Sequence, residues 1–188
     1  MNRKARILWS LLCFGCVIGF AVAQNSIPHE SKEPTVFQPD DENEGFDNAD
    51  PPSNDVLNSL LKTAEARQMS AKLENLDHEQ LRKLFEVVKV HLGDSRELVE
   101  VVLGHSAMSG VDSNWFWIVR CLPGHSEVIL FANGNGLEVL KTRTAGYKDI
   151  RTIWSSAAGY SITTVYRYDG IRYKFARKRT TTVKPPGK

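Results

Sequence analysis

Residues 160–176 read Tyr160-Ser161-Ile162-Thr163-Thr164-Val165-Tyr166-Arg167-Tyr168-Asp169-Gly170-Ile171-Arg172-Tyr173-Lys174-Phe175-Ala176, two runs of β-formers either side of Asp-Gly. Side chains alternate across a strand, and Asp169-Gly170 tolerates the positive φ of a tight hairpin turn. A two-residue loop pairs Tyr168 with Ile171, Tyr166 with Tyr173, and Thr164 with Phe175. These residues then share a face with Ile162, and that face has to pack on a core. The opposite face shows Thr163, Val165 and Arg167 beside Arg172 and Lys174, and is cationic and solvated.

Working upstream, the apolar period is two from about Leu98, which predicts strands over 98–103, 114–121, 126–131, 137–141, 148–154, 160–168 and 171–176. Pro123-Gly124 and Asn133-Gly134-Asn135-Gly136 supply turns between them. Connections this short join antiparallel neighbours, so a β-meander sheet of five to seven strands is expected. Two helices precede it. The first has Ser53 or Asn54 as N-cap and Leu57, Leu60, Leu61 and Ala64 on one face, fading near Ser70. The second starts at Asp77 with Gln80 in the capping-box position, lines one face with Leu81, Leu84, Phe85, Val88 and Leu92, and stops at Gly93. The expected fold is α+β, with both helices packed on one face of the meander.

The N-terminus reads as an address. Arg3, Lys4 and Arg6 precede the apolar run Ile7 to Phe20, and Ala21-Val22-Ala23 offers a signal-peptidase site. The apolar run is short for a bilayer span and is followed at once by polar sequence, so cleavage after Ala23 is favoured over anchoring. Lipidation at Cys16 is a lesser alternative, with Phe14 and Cys13 both poorly suited upstream. Cleavage leaves 21 basic and 22 acidic residues, a formal charge of −1 in place of +2. A near-neutral exported chain is a poor candidate for nucleic acid. Residues 24–54 are acidic and proline-rich and read as a disordered linker. Residues 55–176 form the single domain, and 177–188 a frayed basic tail.

After cleavage the chain keeps one cysteine, Cys121, so no internal disulfide framework exists. Cys121 and His125 flank a Pro-Gly turn and, with Asp112, form the one candidate for thiol chemistry. The competing reading is a small buried thiol at the end of an apolar strand. The five histidines show neither HExxH nor another close zinc spacing, so neither metal nor cofactor is expected. Trp115 and Trp117 share a strand face away from Phe116. That face is either an exposed aromatic platform or the side covered by the helices.

Tyr147-Lys148-Asp149-Ile150 followed by Tyr166-Arg167-Tyr168-Asp169-Gly170-Ile171-Arg172-Tyr173 resembles the ending of uncharacterised secreted bacterial domains. The resemblance spans about thirty residues, implies a secreted or periplasmic protein, and transfers no functional residue. The chain is therefore expected to be an exported, non-catalytic binding domain for a protein or envelope polymer, without a stable membrane span after cleavage. Its candidate surface is Trp115, Trp117, Arg167, Arg172 and Lys174. The alternative is a small envelope hydrolase or thiol enzyme using Cys121 and His125. Expression in a bacterium with intact export should yield a chain beginning at Gln24 by intact mass, and retention of residues 1–23 contradicts the address.

Overall fold

The alternation from residue 98 onward resolves into seven strands, as the turn chemistry requires. The computed structural model describes residues 33–39, 44–68, 73–93, 97–104 and 113–182. Those seven are β3 (Val99–Gly104), β4 (Asn114–Leu122), β5 (His125–Gly134), β6 (Gly136–Thr144), β7 (Tyr147–Ser156), β8 (Tyr160–Tyr168) and β9 (Tyr173–Thr182). Two earlier strands join them, β1 (Val36–Phe37) and β2 (Phe85–Val90), together with short helices α1 (Asn54–Leu61), α2 (Ala64–Gln68) and α3 (His78–Arg82). The protein is mostly antiparallel β-structure, with little helix.

The expected single meander is two sheets, ordered β2-β3-β4-β5 and β1-β6-β7-β8-β9. The division falls at Asn135. Its N–H donates to the Ile153 carbonyl at 2.7 Å, on the second sheet. A Cβ on Gly134 would lie 2.7 Å from that same oxygen, so the close approach needs glycine. The chain thus leaves one sheet and enters the other within a residue, and the sheets share a core. Val99, Val101, Leu103, Phe116 and Ile118 from the first meet Leu137, Val139, Ile150 and Tyr168 from the second.

The other face of the first sheet is apolar too. Phe85, Val87, Val102, Trp117 and Val119 lie under Val56, Leu57 and Leu60 of α1. Ser53 caps this helix through its hydroxyl, which accepts the Val56 N–H. Thr63 ends it: the hydroxyl donates to the Leu60 carbonyl at 2.7 Å and accepts the Ala66 N–H, starting α2.

Three expectations are corrected. The capping box at Asp77 and Gln80 is present, with both hydrogen bonds at 2.8 Å, but α3 ends at Arg82. Phe85-Glu86-Val87-Val88-Lys89-Val90 is strand β2, since β-branched residues at alternate positions satisfy a period of two better than 3.6. The acidic linker carries structure from residue 33: Phe37 is buried, pairs as β1 with Leu137, and meets Phe46 at 5.4 Å. Asp50 exchanges backbone hydrogen bonds with Val87, and Glu33 accepts the His91 N–H at 3.2 Å. Local composition hid this because two aromatics suffice to pin an otherwise polar segment. The expected tail enters β9, which runs on to Thr182 because Arg177, Lys178 and Arg179 pair with Val165, Thr164 and Thr163.

Phe37→Ala should cost about 3–5 kcal/mol by the removal of a buried ring. Denaturant unfolding tests this, and an unchanged midpoint contradicts the integration of Phe37 and Phe46 into the core.

Candidate binding surface

Strands β8 and β9 form a long hairpin whose turn is tighter in bonding and longer in span than the Asp-Gly signal implies. Tyr168 pairs with Tyr173, leaving a four-residue loop, Asp169 to Arg172. The Asp169 carboxylate accepts the backbone N–H groups of Ile171 and Arg172, both at 2.9 Å, and its own N–H donates to the Arg172 carbonyl. The Arg172 and Ile171 N–H groups hold this carboxyl below the usual range, with Lys174 and Arg172 adding to the effect. Gly170 takes φ +101. From Tyr168 to Tyr166 the register therefore differs by two residues from the expected one, a shift that keeps Tyr173, Lys174 and Phe175 on their expected faces.

On the inner face Tyr168 and Tyr173 enter the shared core, and Tyr166 packs against it. Phe175 follows them on that face but is 64 % exposed, and Ile171 at the turn is 60 % exposed. On the outer face Arg167 stands opposite Lys174. A bulge between Val165 and Tyr166 resets the alternation, after which Arg177 and Arg179 lie outward and Lys178 inward beside Thr164 and Trp154. Residues 174–182 are exposed throughout. The hairpin from Tyr160 to Thr182 carries six basic residues and one acid, Asp169. Of the cations, Arg167 lies 3.7 Å from the buried carboxylate of Asp149, which also accepts hydrogen bonds from Thr142 and Thr144 at 2.8 Å. Lys174 is 3.9 Å from Asp169.

A groove of about 240 Å³ separates this hairpin from edge strand β5. Val128 to Phe131 form one wall, and Tyr166, Arg172, Lys174 and Phe175 the other. Its lining mixes apolar side chains with the basic Arg172 and Lys174.

The root of the hairpin is clamped to the first sheet. Arg120 on β4 donates to the Tyr168 hydroxyl at 2.8 Å and to Glu127 at 2.6 Å. Tyr147 stacks on Tyr168 with centroids 4.2 Å apart and donates to Glu97 at 2.7 Å. Burial and then the Glu97 carboxylate push the Tyr147 hydroxyl up to about 12. The Tyr173 hydroxyl donates to the Lys148 carbonyl at 2.7 Å, and burial raises it further still. This network went unread in the sequence. Its signal is Arg120 itself, an arginine sharing the parity of Phe116 and Ile118 in an apolar run, which requires interior partners.

The candidate thiol site is not assembled. Cys121 pairs with Ser126 and Leu122 with His125, so consecutive pairs place the Cys121 and His125 side chains on opposite faces. Asp112, with His105, lies outside the described residues. Burial pushes the Cys121 thiol up to about 11, and the neighbouring Glu100 carboxylate adds to this. Glu100 is only 7 % exposed, and one of its oxygens has no hydrogen-bond partner among the described residues. Burial raises its carboxyl too. An activated nucleophile needs the opposite electrostatics.

Nor do the tryptophans form an exposed platform. Trp117 is fully buried against Phe85 and Phe131, and Trp115 is half-buried, edge-on to Phe131 at 5.5 Å. They belong to the layer under α1. Of the candidate surface residues, Arg167, Arg172 and Lys174 come together on the hairpin, on the far side of the first sheet from the tryptophans. Among the described residues, no group of three His, Cys, Asp or Glu side chains is placed to hold a metal, and no helix is long and apolar enough to cross a membrane.

No family model matches this chain, and neither the curated proteins nor the solved structures searched contain a match.

A thiol raised from 9 to about 11 is protonated at neutral pH. Native Cys121 should therefore alkylate about a hundredfold more slowly at pH 8 than the unfolded chain, with the rate climbing only as pH approaches 11. A fast reaction with a midpoint below 8, followed by mass spectrometry, revives the thiol-enzyme reading.

Proposed function

We propose that this chain is an exported, non-catalytic binding domain whose β8–β9 hairpin holds an anionic partner, a protein or an envelope polymer. One observation carries the reading: β9 is exposed from Lys174 to Thr182 and bears Lys174, Arg177, Lys178 and Arg179 with no acidic residue. Cations displayed on a rigid strand lose less entropy on binding than cations on a free tail. They also raise the rate of encounter with a negative partner. The clamp at Arg120 and Tyr168 supports the reading, because it holds the hairpin root while leaving its length free.

Export, expected from residues 1–23, brings this surface to secreted and envelope molecules rather than to nucleic acid. The thiol-enzyme alternative is set aside because Cys121 and His125 face opposite ways and the thiol is held protonated.

The test is titration of the mature chain with polyglutamate and with dextran sulfate at rising salt. The native protein should bind at least one of them, and more weakly as salt increases. Arg177→Glu combined with Arg179→Glu should weaken that binding about tenfold or more, with an unchanged Tm, because both side chains are exposed. Absence of binding to both polymers, or equal binding by the variant, overturns the proposal.

A further inference from the structure

We propose that β9 accepts an acidic, extended polypeptide as an added strand. This rests on reading the hairpin as the binding surface and names the partner's chemistry. Sheet edges expose unpaired backbone N–H and C=O groups, and proteins usually cover or shorten them. Among the described residues, three of the four edges are shortened or partly covered. Strand β1 is two residues long, β2 is met by the backbone of Asp50, and β5 runs beneath α1, whose Ser59 hydroxyl donates to the Ser126 carbonyl at 2.7 Å. Strand β9, ten residues long, pairs only with β8 among the described residues.

The cations choose what can dock there. Lys174, Arg177 and Arg179 point to the outer face and Lys178 to the inner, so positive charge lies on both sides of the edge. A flat anionic surface would engage one side alone. A strand lying in the plane of the sheet meets both, with carboxylates opposite cations as cross-strand neighbours. The same charges repel β9 of a second copy, so the edge discriminates against self-association while remaining open. The groove beside Phe175 and Tyr166, lined by aromatic, aliphatic and basic side chains, adds a notch for one large side chain of the incoming strand. Main-chain bonding along the edge gives affinity and the notch gives register, the logic of strand addition.

The probe is a labelled ten-residue peptide, acetyl-Glu-Thr-Glu-Glu-Glu-Phe-Glu-Glu-Glu-Thr-amide, with carboxylates on both faces of a strand, titrated against the full mature chain. Two further versions carry backbone N-methyl groups on odd or on even residues, and dextran sulfate serves as the non-peptide polyanion. The parent peptide should bind and slow amide exchange along 174–182. One of the two N-methylated phases should lose about tenfold or more in affinity, since only one phase of amides faces β9. Equal binding of all three peptides overturns strand addition and leaves the cationic surface standing. Binding of dextran sulfate with no peptide bound overturns the peptide partner and again spares the proposed function. Failure of every probe removes both.

Discussion

Strands β3 and β4 have no face that tolerates water, and the rest of the architecture answers that constraint. Val99, Val101, Leu103, Phe116 and Ile118 point one way, while Val102, Trp117 and Val119 point the other. Burial of apolar surface contributes roughly 25 cal/mol per Å², so leaving either side open would forfeit much of the folding free energy. The second sheet closes one side and α1 the other. An eight-residue helix is too short to persist alone in water, so α1 draws its stability from the Trp117 layer it covers. Phe37 and Phe46 extend the same logic, tying an acidic stretch to the core through two rings.

Polar groups inside this arrangement are placed where they join elements. Arg120 links β4 to Tyr168 on the opposite sheet and to Glu127 on the neighbouring strand, which makes the sheet-to-sheet contact directional as well as apolar. Asp149 is held by Thr142, Thr144 and Arg167 on the outer face. Among the described residues, none is placed as a hydrogen-bond partner for one oxygen of Glu100 or for the Trp117 indole N–H. That costs free energy in a layer otherwise rich in ring contacts. Among the described residues, most of the hairpin's exposed basic groups lie on β9.

Much of this was legible because local rules decide it. The places of the seven strands between 98 and 176 followed from the period of two, although Asn133–Gly136 is a crossing between sheets rather than a turn and the last strand starts at Tyr173. Both helix starts followed from Ser53, Asp77 and Gln80. The misses share a cause, since each depends on a partner distant in sequence. Phe85 to Val90 fit either period locally, and pairing with β3 made them a strand. Residues 33–39 and 44–50 look like solvent-exposed chain until β6 and β2 are beside them. Arg177 to Thr182 look frayed until β8 supplies the hydrogen bonds. The division at Asn135 depends on the Ile153 carbonyl, which local sequence does not reveal. Of the surface residues read from sequence, the hairpin cations fall together because strand alternation is local. The tryptophans turned inward because α1 covers them.

The four-residue turn at Asp169 has a bearing on how such a protein can change over generations. Lengthening or shortening that loop by two residues would move the register yet return each residue of β9 to its own side of the sheet. A change of one residue would exchange the sides, sending Lys174 and Arg177 toward the tyrosine core and Tyr173 and Phe175 to water. Length variation at this loop therefore favours pairs of residues, unless a bulge such as the one beside Val165 takes up the odd one.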